Sequence, residues 1–116
     1  LGKDLVHSVV YVEVVGDVDG VILTELNALS PGIETLVFSR SNIDDEKMNK
    51  LGPFARLRTI VLADANVSDL SIDVLSRYST LESINAVDSK ISDSGIERLK
   101  KNIPQLRYAA NHSLVR

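Results

Sequence analysis

Apolar residues recur along this chain with a period of 24. The series Leu57, Ile60, Leu62, Val67, Ile72, Leu75, Tyr78 is matched 24 positions earlier by Ile33, Leu36, Phe38, Ile43, Met48, Leu51, Phe54, and 24 positions later by Leu81, Ile84, Ala86, Ile91, Ile96, Leu99. The next apolar residue, Ile103, falls one place late, and a further unit starts at Leu106. A weaker copy precedes them: Val9, Val12, Val14, then Leu23, Leu26, Leu29, its second half one residue closer to its first. Within each unit the period changes. Apolar residues two apart, as at Ile60 and Leu62, predict a short strand with one buried face. Apolar residues three apart, as at Ile72, Leu75 and Tyr78, predict a helix with one face on the core.

The boundaries follow from the repeat. Residues 1–32 form a divergent N-terminal capping unit, residues 33–56, 57–80 and 81–105 form three regular units, and residues 106–116 supply a terminal strand. One strand and one helix cannot bury an apolar face alone, so the units must stack to make a continuous core. The expected fold class is therefore α/β, a solenoid with a parallel sheet on its concave face and short helices on its convex face. An Asp stands ahead of each predicted helix, at Asp45, Asp69 and Asp93. The simple expectation is a helix cap, since a short carboxylate there accepts from free N–H groups and favours the positive end of the dipole. A cation shared between successive carboxylates is the alternative.

The segment Leu57-x-x-Ile60-x-Leu62-x-x-Ala65-x-Val67 resembles the strand-and-turn signature of leucine-rich repeat proteins, and Ile91-Ser92-Asp93-Ser94-Gly95-Ile96 resembles the turn into the helix of their short-helix and cysteine-containing subclasses. The resemblance covers residues 33–106 and more faintly 9–32. It departs from the family pattern at Ser41, Ala65 and Ser89 after the strands, and at Lys47 and Ser71, where Gly95 has the family glycine. The resemblance implies a non-enzymatic protein-interaction module, part of a larger protein or complex, which binds through the concave face.

Strand residues between the core positions point outward. They form rows across the units: Tyr11, Thr35, Thr59, Ser83, Tyr108; then Glu13, Val37, Val61, Asn85, Ala110; then Val15, Ser39, Ala63, Val87, His112; and beside these Gly16, Arg40, Asp64, Asp88. For a protein partner, Tyr11 and Tyr108 would be aromatic anchors near the two ends, Val37 and Val61 a small apolar centre, and Arg40, Asp64 and Asp88 the charges that set complementarity. The terminal strand after Leu106 has no helix of its own in the sequence, so its edge is expected to be covered by another chain or by more of this one. That gives the alternative function, a structural subunit that pairs through its terminal edge.

Composition narrows the choice further. Hydrophobic residues at 44% and charged residues at 25% fit a folded chain, and aromatics at 4% make the core aliphatic. A net charge of −3 argues against a general binder of nucleic acid or anionic membrane. No Cys is present, which excludes disulfides and thiolate metal sites, and no apolar run is long enough for a membrane span. The chain starts at Leu1 rather than Met, as a processed product or excised fragment would. One enzymatic pattern competes. Val12 to Val21, with Asp17-Val18-Asp19-Gly20, resembles the first motif of haloacid-dehalogenase phosphatases. That would make Asp17 a nucleophile and Asp19 its acid/base partner, with Mg²⁺ between them, Ser39 in the second motif and Lys100 or Lys101 as the lysine. The repeat already accounts for Phe38 and Ser39, and Asp and Gly are ordinary turn formers, so no cofactor and no metal is expected. His7 and His112 have no partners at catalytic or ligand spacing, and Arg98, Lys100 and Lys101 suit a helix C-terminus.

Overall fold

A computed structural model describes residues 10–112. The chain is α/β. Five parallel strands, β1 (Tyr11–Gly16), β2 (Thr35–Ser41), β3 (Thr59–Val61), β4 (Ser83–Asn85) and β5 (Tyr108–Ala110), lie in one sheet in chain order. Between them run α1 (Gly20–Leu29), α2 (Asp45–Met48), α3 (Ile72–Ser76) and α4 (Asp93–Asn102), with single 3₁₀ turns at Ser30–Gly32 and Asp69–Ser71. The sequence period becomes strand register. Leu36 pairs with Ile60, Ile60 with Ile84 and Ile84 with Ala109. These residues face a core built from Ile33 to Ile103, in which almost every repeated apolar position is under 6% exposed. Phe54 and Tyr78 stack within it at 5.5 Å, tilted by 59°. The Tyr78 hydroxyl donates to Gly52 O at 3.1 Å, and burial pushes its pKa up to about 12.

The late position of Ile103 has a structural cause. In the unit 81–105 the helix runs its full ten residues, so apolar side chains on one face fall at Ile96, Leu99 and Ile103. In the two preceding units the helix stops after four or five residues. The same geometry corrects the expectation for the first unit. Residues three apart on a true helix drift about 60° round its axis. Of Leu23, Leu26 and Leu29 on α1, only the middle one is buried; Leu23 is half-buried and Leu29 is 40% exposed. Val18, 1% exposed, supplies the core side chain that opens this unit. Val9 and His7 lie outside the described residues.

The expectation for the aspartates is also corrected. The caps are Asp44, Ser68 and Ser92, whose side chains accept from Lys47 N, Leu70 N and Gly95 N. Asp45, Asp69 and Asp93 are the first helical residues, and their carboxylates reach into the next unit. Asp45 accepts from Ser68 N at 2.9 Å, Ser68 Oγ at 2.7 Å and Ser71 Oγ at 2.6 Å. Asp69 accepts from Ser92 N at 2.8 Å and from the Ser92 hydroxyl. Asp93 accepts from Asn111 Nδ2 at 3.0 Å. Each cap serine thus accepts from its own helix and donates to the unit before it, which an Asp cap cannot do when ionised. The cap is Asp44 where the preceding helix begins with Gly20 and has no carboxylate to receive a proton donor.

This staple explains the departures at the position three after each cap. A Cβ at Gly95 would run into Asp69 Oδ1, and Ser71, 24 residues earlier and fully buried, meets Asp45 with a hydroxyl instead. Gly95→Ala is therefore expected to destabilise the chain by about 1–3 kcal/mol, although glycine to alanine inside a helix ordinarily gains up to about 1 kcal/mol. In an Asp69→Ala background the same change should become neutral or stabilising. A denaturant-unfolding cycle over the four proteins checks this; additive effects would break the link between Gly95 and Asp69.

Candidate interaction face

Helices and turns cover one face of the sheet and leave the other open. Two of the rows expected from sequence are the observed register. Tyr11 pairs with Thr35, Thr35 with Thr59, Thr59 with Ser83 and Ser83 with Tyr108. Beside them Glu13, Val37, Val61, Asn85 and Ala110 pair in the same way. Tyr11 and Tyr108 are 57% and 44% exposed and stand on the two outer strands, about 19 Å apart by strand spacing. Val37 and Val61, expected to be exposed, are half-buried between their neighbours, and Val15 on β1 is 61% exposed.

In the third row strand pairing is confined to the start, and beyond it the ladder continues as single hydrogen bonds such as Asp64 N to Val87 O. Val15 pairs with Ser39, but β3, β4 and β5 end at Val61, Asn85 and Ala110, so Ala63, Val87 and His112 lie past the strands. Ser39 Oγ donates to Glu13 Oε2 at 2.6 Å, which ties β1 to β2 across the face. The fourth row is shifted by a bulge. Gly16 pairs with Ser41 rather than Arg40. Conformation nevertheless unites this row, because Gly16, Arg40, Asp64 and Asp88 all have positive φ, at 87°, 45°, 62° and 60°. Aspartate tolerates that region; arginine is rare there. The left-handed turn lifts each side chain clear of the sheet at the C-terminal ends of the strands, and all three charged ones are exposed. The turns are fixed by Asp64 N donating to Val87 O at 2.8 Å and Asp88 N donating to Asn111 O at 3.1 Å.

The opposite rim was not anticipated. One residue ahead of each strand stand Glu34, Arg58, Glu82 and Arg107, alternating in sign at the repeat spacing. Arg58 bridges Glu82 at 3.2 Å and Glu34 at 4.0 Å. The hydrogen bond from Arg58 holds the Glu82 carboxyl below its usual range, and the bond to Glu82 raises Arg58. With Thr35, Thr59, Ser83 and Tyr108 these residues line a shallow groove of about 320 Å³. As exposed pairs they add little stability. Their formal charges balance, and Arg107 stands exposed at the end of the row, where its charge adds to the lowering of Glu82.

Asp19 and Ser39 of the phosphatase-like pattern are engaged in local hydrogen bonds. Asp19 caps α1 by accepting from Ile22 N at 2.9 Å, Asp17 is exposed ahead of it, Ser39 bonds to Glu13, and Lys100 and Lys101 occupy the last turn of α4. Arg98 approaches Asp73 at 4.0 Å. His112 is exposed beyond β5. Among the described residues no three His, Asp or Glu side chains cluster as metal ligands, and no helix is long and apolar enough to cross a membrane. No protein-family model matches the chain, and no curated protein matches its sequence.

Proposed function

We propose that the chain is a leucine-rich-repeat-like solenoid acting as a non-enzymatic protein-interaction module, with the open sheet face as its concave binding surface. The observation that carries this reading is the in-register face itself. It offers two exposed tyrosines at its ends, β-branched residues between them, and a charged rim of Arg40, Asp64 and Asp88. Exposed aromatics around an apolar strip with unneutralised charges at the edge are the ingredients of a protein-binding patch. The face has neither the positive charge nor the interleaved aromatics that a nucleic-acid strand would need. No cofactor enters the reading.

A second reading is supported by the outer edge of β5, which pairs with no strand among the described residues. In it the chain is a structural subunit that associates through this edge. One experiment separates the two. Native chain and a folded Arg40→Glu, Asp64→Lys, Asp88→Lys variant are used to capture proteins from lysate of the source organism. A protein retained by the native chain and lost by the variant is the expected result. Retention by both would move binding to the edge or the helices and overturn the face.

A further inference from the structure

The two rims of the face differ in one respect that identifies a class of partner. On the rim before the strands, Arg58 is paired with Glu34 and Glu82. On the rim after the strands, Arg40, Asp64 and Asp88 form no ion pair with any described residue. These three charges also share one backbone conformation. Each has a left-handed backbone; Arg40 is near the end of β2, while Asp64 and Asp88 lie three residues past β3 and β4, where Asp64 N donates to Val87 O and Asp88 N to Asn111 O. They fall in successive units in the order of the strands, a step of about 4.8 Å and about 9.6 Å from first to last by strand spacing.

Resting on the interaction-face reading above, we propose that the occupant is an amphipathic α-helix laid across the strands, with an acidic side chain over Arg40 and basic side chains over Asp64 and Asp88. The spacing selects a helix over an extended segment. Same-face residues of a helix three or four apart rise about 4.5–6 Å, and those seven apart about 10.5 Å, which tracks the row. Same-face residues of an extended peptide are about 6.7 Å apart and fall out of step by about 2 Å at each strand. The helix would carry its charges at i, i+4 and i+7 (in either chain direction) and an apolar seam against Val37 and Val61. From Tyr11 to Tyr108 the face spans about 19 Å, room for about 13 helical residues. The charge order acid, base, base specifies the partner; the apolar strip alone would accept any amphipathic helix.

The test uses two hydrocarbon-stapled peptides of identical composition and net charge. One carries Glu, Lys, Lys at i, i+4 and i+7. The other carries Lys, Glu, Lys, which mismatches the row in both directions. Binding is titrated by chemical-shift changes of the labelled chain. The ordered peptide is expected to bind about tenfold more tightly than the scrambled one, three exposed contacts being gained against one. The ratio should fall to about one on an Arg40→Asn, Asp64→Asn, Asp88→Asn variant, because asparagine keeps the left-handed turns and removes the charges. Equal binding of both peptides to the native chain, a ratio unchanged in the variant, or no saturable binding of either would overturn the helix. If any of these occurred while the lysate partner still depended on the charged rim, the helix would have failed and the face would stand. If the lysate partner ignored the rim as well, both would fall.

Discussion

Asp45→Ala is expected to destabilise the chain by about 2–4 kcal/mol and to flatten its response to acid. The carboxylate receives three donors from the following unit: the Ser68 amide, the Ser68 hydroxyl and the Ser71 hydroxyl. Hydrogen bonds to a charged group contribute about 1.5–3 kcal/mol each, and losing the acceptor leaves buried donors unpaired. Ser71 is fully buried and has no water to turn to. The pH dependence has a definite sign. Burial raises the pKa of Asp45, but the bonds from Ser71 and Ser68 and the charge of Lys90 outweigh it and leave the pKa lowered. Asp69 is lowered as well, by the side-chain and backbone bonds of Ser92 against opposing burial. A carboxylate depressed in the folded state contributes stability that is fully present above its unfolded pKa, here 3.8, and is lost as pH falls through the folded value. Acid unfolding of the native chain should therefore steepen below about pH 4. Denaturant midpoints measured from pH 6 downward should converge between the native chain and the variant. A constant difference at all pH values would contradict the role given to Asp45.

Ile60→Ala is expected to cost about 2–5 kcal/mol. Ile60 lies on the central strand, is fully buried and is flanked in register by Leu36 and Ile84. Its register neighbours Leu36 and Ile84 are themselves fully buried and paired in the sheet, which limits how far they can move to fill a cavity. Total stabilities of small chains are about 5–15 kcal/mol, which makes such a loss a large fraction of the whole. Equilibrium urea unfolding measures it. A loss below about 1 kcal/mol would mean that the site collapses freely and that the stack is looser than its burial indicates.

The strands and the core were legible because both depend on periodicity, and register is fixed wherever one face is buried. The pairing of Tyr11 with Thr35 and onward to Tyr108 follows from the 24-residue spacing alone, including the one-residue insertion, which a full-length α4 absorbs. What escaped depends on where side chains reach in space. Asp45 looks like a cap in sequence, yet its partners are Ser68 and Ser71, 23 and 26 residues away. The doublets Asp44-Asp45, Ser68-Asp69 and Ser92-Asp93 carried the signal, since a capping side chain followed by a carboxylate leaves that carboxylate free to act elsewhere. The alternating row Glu34, Arg58, Glu82, Arg107 is equally visible at the repeat spacing, but it falls just outside the strands, where the alternation that marks the face no longer applies. The bulge that offsets Gly16 from Arg40 had no such signal; it arises where the left-handed turn of Arg40 interrupts the ladder between β1 and β2.

Binding through the open face is tested most directly by amide hydrogen exchange of the native chain with and without its captured partner. Protection confined to β2, β3 and β4 and the turns at Arg40, Asp64 and Asp88, with the outer sides of α1 and α4 unchanged, is the predicted result. Protection confined to the helices, or to β5 alone, would contradict it.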